Sequence, residues 1–258
     1  MSPVSTPPAE TLRIVWWNIR AGGGRRIEAI FQQLQRWRPD VVGLCEFRAT
    51  PPSRWLADAL AGAGFRHQRT TADPDVPARN ALLRASRWPL RRIWSLPGPS
   101  EPARWLLVRV PSPFPIYLGA MHVPNRVTGR KSDFLRSVRV LSGEWRRGPA
   151  LLVGDTNSGR IGLDEENPVF DALEDGWMRA MDEGGWPDAF RHLHGDRRAY
   201  TWYSPNGNNG FRLDQAFVNR DLLPRLLAAR YEWGATPAPN PRRNALSDHA
   251  ALIVDLLL

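Results

Sequence analysis

Leu151-Leu152-Val153-Gly154-Asp155-Thr156-Asn157 joins an apolar run directly to an aspartate, with an asparagine two residues on. The apolar part, Ala150–Gly154, has the length and composition of a strand. Gly154 and Asn157 would serve a turn, but an aspartate directly behind the apolar run asks for more than a turn. The same construction recurs along the chain. Asn18 ends Arg13-Ile14-Val15-Trp16-Trp17-Asn18, Glu46 ends Val41-Val42-Gly43-Leu44-Cys45-Glu46, and His122 ends Ile116-Tyr117-Leu118-Gly119-Ala120-Met121-His122. Asp214 sits in Phe211-Arg212-Leu213-Asp214, and Ser247-Asp248-His249 precedes the last apolar run. Singly, each has a plainer reading: Trp17-Asn18 as a turn signal, Glu46 as a solvated strand end, Ser247-Asp248-His249 as a cap. Together they set oxygen ligands and imidazoles where strands stop. That placement suits a hard divalent ion and a phosphate ester, with a histidine or aspartate to position or deprotonate water.

The flanking sequence supplies the frame. Leu12–Asn18 reads as a strand of buried type, Ala21-Gly22-Gly23-Gly24 as a turn, and Arg26–Trp37 as a helix with Ile27, Ile30, Phe31, Leu34 and Trp37 at helical spacing. Pro39-Asp40 stops that helix before a strand at Val41–Cys45. Ser53 is expected to cap a helix over Arg54–Ala63, ended by Gly64. Strands are expected at Phe65–Arg69, Asn80–Ala85, Arg91–Leu96, Arg104–Val110 and Ile116–His122, with helices at Phe134–Trp145 and Pro168–Met181. The C-terminal part reads as strands at Tyr200–Tyr203, Arg212–Val218, Leu226–Trp233 and Ala250–Leu257, with a short helix near Asp221–Leu223. Strand follows strand too often for simple βαβ winding, so two packed sheets with helices outside are expected. No internal repeat is visible.

Composition narrows the partners. The 258 residues suffice for a sizeable core, and no Pro/Gly/Ser-rich linker divides them, so residues 11–258 read as one domain behind a disordered segment, 1–10. The formal charge is +9, which favours a polyanion such as nucleic acid. Lys131 is the only lysine, so the charge is almost all arginine; compositional bias explains that as well, and the planar guanidinium binds phosphate either way. Cys45 is the single cysteine and lies in an apolar run, which reads as core and leaves no role for disulfides. The N-terminal residues lack the apolar centre of a signal peptide, and no stretch has the length of a membrane span. A soluble, cytoplasmic, monomeric protein without a membrane partner is the expectation.

In order and local context these residues resemble the endonuclease/exonuclease/phosphatase superfamily. The C-terminal third resembles its exonuclease III-like branch, through Pro187-Asp188-Ala189-Phe190-Arg191, Tyr200-Thr201-Trp202 and Gly210-Phe211-Arg212-Leu213-Asp214. The resemblance implies a four-layered α/β sandwich, two central, mostly antiparallel sheets flanked by helices, with the site at one end of the sheets. It implies Glu46 as central ligand of Mg²⁺, with Mn²⁺ as a substitute, and Asn18 and Asp248 beside it. Asp155 would activate or orient the attacking water, and Asn157, on an extended backbone, would point the same way toward the phosphate. His249 would contact the scissile phosphate, with Asp214 holding its tautomer; an Asp214–Arg212 salt bridge is the plainer reading. His122 would stabilise the phosphate or protonate the leaving oxygen. Asp188 would brace the histidine region or Arg191, unless it is merely structural. Asn125, Arg126 and Arg130, in the loop after His122, are candidate phosphate contacts. Trp202 and Phe211 are candidates for the wall of a sugar or base pocket, with core packing as the competing reading.

Two departures weaken a repair assignment within that resemblance: His122 stands where the abasic-site nucleases have tyrosine, and Arg20 where they often have aspartate. The expected function is a Mg²⁺-dependent phosphodiesterase, a nuclease cutting DNA or RNA by direct attack of water. A phosphatase or phosphodiesterase for a lipid or small phosphate ester is the alternative, and a non-catalytic nucleic-acid binder is a third.

Overall fold

The computed structural model describes residues 11–93, 98–234 and 245–258. Residues 1–10, the end of the expected strand Arg91–Leu96, and Arg242-Arg243, a basic pair whose sequence would suit a phosphate backbone, lie outside the described residues. In chain order the elements are β1 (Thr11–Asn18), α1 (Ile27–Trp37), β2 (Val41–Phe47), α2 (Pro51–Gly62), β3 (His67–Thr70), β4 (Ala81–Ser86) and β5 (Arg91–Arg92). There follow β6 (Trp105–Val110), β7 (Ile116–His122), α3 (Lys131–Gly143), β8 (Ala150–Asp155), α4 (Ala172–Glu183) and α5 (Ala189–His194). The chain ends with β9 (Trp202–Tyr203), β10 (Gly210–Phe211), β11 (Asp214–Val218), β12 (Leu226–Glu232) and β13 (Ala251–Leu257).

Two sheets carry the fold. One has the order β12-β13-β1-β2-β4-β3, the other β11-β8-β7-β6-β5, and β9 and β10 form a small ribbon. Each large sheet is antiparallel except for one central parallel pair, β1 with β2 and β7 with β8. Each parallel pair is bridged by a helix, α1 or α3, as a parallel connection requires. The two βαβ units thus repeat in space although no repeat shows in the sequence.

Alternation along the central strands makes the layers. Leu12, Ile14 and Trp16 of β1 point into a core shared with Leu106, Val108, Leu118, Ala120 and Val153 of the other sheet. Val15 and Trp17, one residue out of phase, pack under α1 and α2 with Ile30, Leu34 and Leu56. On the far side Leu107, Met121, Leu152 and Phe217 meet α3 and α4 through Phe134, Val138, Trp177 and Met181. Strands apolar on both faces therefore sit between two helical layers, the expected four-layered sandwich.

Several boundaries move for identifiable reasons. The helix expected at Arg54 begins at Pro51, since prolines fit a first turn that needs no N–H donor. Ser53 is consequently inside it, its hydroxyl donating to the Gly22 carbonyl rather than capping. The helix expected from Pro168 starts at Ala172, where Asp171 and Glu174 form a reciprocal capping box. Helix α5 was not expected at all; Asp188 caps it by accepting from the Arg191 N–H at 2.8 Å.

Candidate active site

Strand register assembles the site. In the five-stranded sheet Asp214 pairs with Asp155 across β11 and β8, and His122 pairs with Asp155 across β7 and β8. One row therefore carries Asp214, Asp155 and His122. In the facing sheet Asn18 ends β1, and Glu46 sits at the bulge that interrupts the β2–β4 register. His249 precedes β13 and bridges to Trp202, while the Trp17 indole donates to its carbonyl at 2.9 Å.

Asp155 Oδ2 is the centre of this arrangement. It accepts from Asn18 Nδ2 at 3.1 Å and lies 3.9 Å from Nε2 of both His122 and His249. Its other oxygen accepts from the Asn157 N–H at 3.0 Å. His249 Nδ1 hydrogen-bonds Asp214 Oδ2 at 2.8 Å, so Asp214 binds the imidazole rather than Arg212. Arg212 instead pairs with Asp164 and, at 2.8 Å, with Asp188, and together with Arg191 these groups form a buried ionic network.

The electrostatics separate the two histidines. Burial alone would depress His249, but Asp214 overrides it and the proton affinity rises well above the ordinary value. His122 is pushed well below its ordinary range by burial, with the Arg104 and His249 charges adding to the effect. A cationic and a neutral imidazole thus flank one carboxylate. Asp155 itself is raised by burial and by Asp214, against the opposing pull of His249.

Glu46, in a left-handed conformation with φ 54°, turns off its strand and accepts from the Ala21 N–H at 2.7 Å. That contact is made by a loop in which Arg20, Ala21, Gly22, Gly23 and Gly24 all have positive φ, which explains the glycine run. Asn18 Nδ2 lies 3.5 Å from Glu46, and Asn18 Oδ1 accepts from the Arg20 N–H. Asp248 is half-exposed and 3.8 Å from Arg20. Glu46, Asn18 and Asp248 offer oxygen donors only, the set that fits a hard divalent cation.

Beside the carboxylates opens a largely apolar cleft of about 250 Å³, lined by Asn125, Asn157, Phe170, Trp202, Phe211 and Leu213. Trp202 and Phe211 lie 5.8 Å apart and Phe170 meets Phe211 edge-on, so these rings are both packed and exposed to the cleft. Asn157 does not follow an extended backbone: its φ is 47°, and its side chain donates to the Val123 carbonyl. It reaches the cleft through that turn. Arg126 also lines the cleft but is ion-paired with Glu174, and Arg130 stands apart from it, paired with Glu101 at 2.6 Å.

Glu174, Asp164 and Arg104 drew no expectation from the sequence, and Lys131 drew none as the support of Asn157. Lys131 is buried, ion-paired with Glu174, and donates to the Asn157 carbonyl, so it holds the turn that presents Asn157. Its standing as the only lysine was the available signal. Arg104 donates to the His122 carbonyl at 3.3 Å.

The family model described as "Endonuclease/Exonuclease/phosphatase family" matches residues 15–249. The chain belongs to that family. Among solved structures, the chain is similar to a 3'-5' exonuclease (NExo) from Neisseria meningitidis, with a TM-score of 0.77 and 20% identity over 96% of this chain and 100% of that one. A structure titled 3' phosphatase NExo from Neisseria bound to product DNA hairpin gives 0.77 and 19% over the same shares. An AP endonuclease from Archaeoglobus fulgidus gives 0.75 and 19%, over 94% of this chain and 98% of that one. At such identities the likeness establishes the shared fold. No curated protein sequence matches the chain. No helix among the described residues is long and apolar enough to cross a membrane.

Proposed function

We propose that the protein is a divalent-metal-dependent nuclease that hydrolyses DNA phosphodiesters by direct attack of water, working as a cytoplasmic monomer. One observation carries the reading: a buried carboxylate oxygen of Asp155 between two imidazoles, one tied to its own aspartate. Mg²⁺, held by Glu46 with Asn18 and Asp248 beside it, would supply charge neutralisation at the phosphoryl oxygens. The protein's own groups do the rest. Asp155, its proton affinity raised, accepts a proton from the attacking water, and Asn18 and the Asn157 N–H fix its orientation. His249, kept protonated by Asp214, places positive charge against the phosphate, where charge builds in the transition state. Neutral His122 serves as a hydrogen-bond donor to the phosphate, the first of its two expected roles, because its proton affinity is too low for an acid. The Trp202–Phe211 cleft takes the sugar or base next to the scissile bond.

The +9 charge and the likeness to a structure bound to a product DNA hairpin support nucleic acid over a lipid or small ester. The neighbour titled a 3' phosphatase adds a 3'-phosphorylated end to the candidate substrates. The test is incubation with Mg²⁺ and labelled single-stranded DNA, duplex, duplex with one abasic site, and 3'-phosphorylated duplex, each beside Asp155→Ala. Metal-dependent cleavage lost in the variant is expected. Failure on all four, with turnover of a small phosphodiester, would replace the nuclease reading with the small-ester one.

A further inference from the structure

Cys45 lies at the level of the site, yet nothing in the proposed reaction uses it. It pairs in register with Asn18 across β1 and β2. The bulge after it turns Glu46 away, while Cys45 stays in the core between the two sheets. Its Sγ, a ring nitrogen of His122 and a carboxylate oxygen of Asp155 lie within 4.8 Å of one another, and all three residues are buried. His122 Nδ1, in a side chain only 9% exposed, meets no hydrogen-bond partner among the described residues. A buried imidazole nitrogen without a partner, next to a thiol and a carboxylate, is a donor set looking for an acceptor of lone pairs.

That set differs in kind from the oxygen donors around Glu46. Mg²⁺ takes oxygen and avoids thiolate, whereas one sulfur, one nitrogen and one oxygen suit the borderline-soft Zn²⁺. Tetrahedral Zn²⁺ holds such ligand atoms roughly 3.4–3.6 Å apart, so a contraction of about one ångström, within reach of side-chain rotation, closes the trio. Three protein ligands leave the fourth position to water.

We propose that Cys45, His122 and Asp155 form a binding site for a thiophilic divalent cation, Zn²⁺, and that filling it stops hydrolysis. Binding forms a metal–sulfur bond and releases the thiol proton to solvent; no electron is transferred. The ion occupies the Asp155 carboxylate that water attack uses and fixes the His122 ring that phosphate binding uses. This inhibitory half rests on the proposed reaction, while the metal-binding half rests on the cluster alone.

The test uses the full chain stripped of metal with a chelator. Titration with Cd²⁺, a spectroscopic stand-in for Zn²⁺, is followed through the ultraviolet thiolate-to-metal band. The band should saturate at one equivalent, be displaced by Zn²⁺, and be absent from both Cys45→Ser and Cys45→Ala, whose folding is checked by circular dichroism. In excess Mg²⁺, Zn²⁺ should inhibit the wild type more strongly than either variant by more than about tenfold, each judged against its own Mg²⁺ rate. No thiolate band in the wild type overturns the site. Equal Zn²⁺ sensitivity in wild type and variants overturns the inhibition. If Mg²⁺ supports no hydrolysis at all, the proposed reaction and the inhibitory half fall together, and the band still decides the site.

Discussion

At the residue scale the candidate chemistry turns on one oxygen. Asp155 Oδ2 is held by Asn18 and faces two imidazole nitrogens, so replacing it tests the reaction with little change of shape. Asp155→Asn should lower kcat by about 10²–10⁴ and leave KM nearly unchanged, measured as Mg²⁺-dependent cleavage. Asp214→Asn acts one step away, through His249. The native pair raises the imidazole's proton affinity against the effect of burial, so activity that needs the imidazolium persists until the pH rises through that high value. Without the carboxylate, burial dominates and the alkaline limb of the pH–rate profile should move to lower pH. An unmoved limb in Asp214→Asn would show that His249 does not act as a cation. These residues were legible because each polar side chain interrupts an apolar strand, a contrast any reader of the sequence can see. Lys131, Glu174 and Asp164 were not, since a charged residue in a loop or in the first turn of a helix looks solvated until the fold buries it.

At the element scale the row of site residues depends on how closely β7 and β8 approach. A Cβ built on Gly154 would collide with the backbone carbonyl and side chain of Met121, its partner across the parallel pair. Neither obstacle lies at the end of a long flexible chain, so the strands themselves must separate. Gly154→Ala should destabilise the protein by about 1–3 kcal/mol, read from the urea midpoint. It should also reduce turnover, because His122 and Asp155 form the next pair in the same register. A variant with native stability and rate would mean the strand spacing is not limiting. The sequence pattern marked Gly154 only as turn-like, because close approach of a neighbouring backbone leaves no local trace. The same limit hid β10, a two-residue strand defined by its partner and not by periodicity, whereas β5 and β9 fall inside the longer strands expected at Arg91–Leu96 and Tyr200–Tyr203. Long strands and amphipathic helices, in contrast, were readable to within a few residues.

At the scale of the whole molecule, two buried ionic networks join segments distant in sequence. Near the site, Asp164 accepts from Arg212 and Arg191, linking the segment before α4 to α5 and to the strand entrance at β11. In the six-stranded sheet, Asp255 of β13 accepts from Arg13 of β1 at 2.7 Å and from Arg230 of β12 at 2.8 Å, joining three strands. Burial by itself would raise both carboxyls, but the arginines more than offset it and hold them below the usual aspartate range. A carboxyl whose folded value is depressed contributes stability that is fully present above the unfolded value, near pH 3.9, and is lost as pH falls through the folded value. The urea midpoint should therefore fall with acid only below about pH 4 on account of these two groups. Asp164→Asn and Asp255→Asn should each make that acid slope shallower. They should also weaken the protein at neutral pH, since a buried arginine left unpaired costs about 3–5 kcal/mol. The larger loss is expected at Asp164, which is fully buried and whose two arginines are both well enclosed, whereas Arg230 on Asp255 is partly open to water. A neutral-pH midpoint unchanged in Asp164→Asn would mean that Asp188 alone suffices for Arg212, and that the network near the site serves geometry rather than stability.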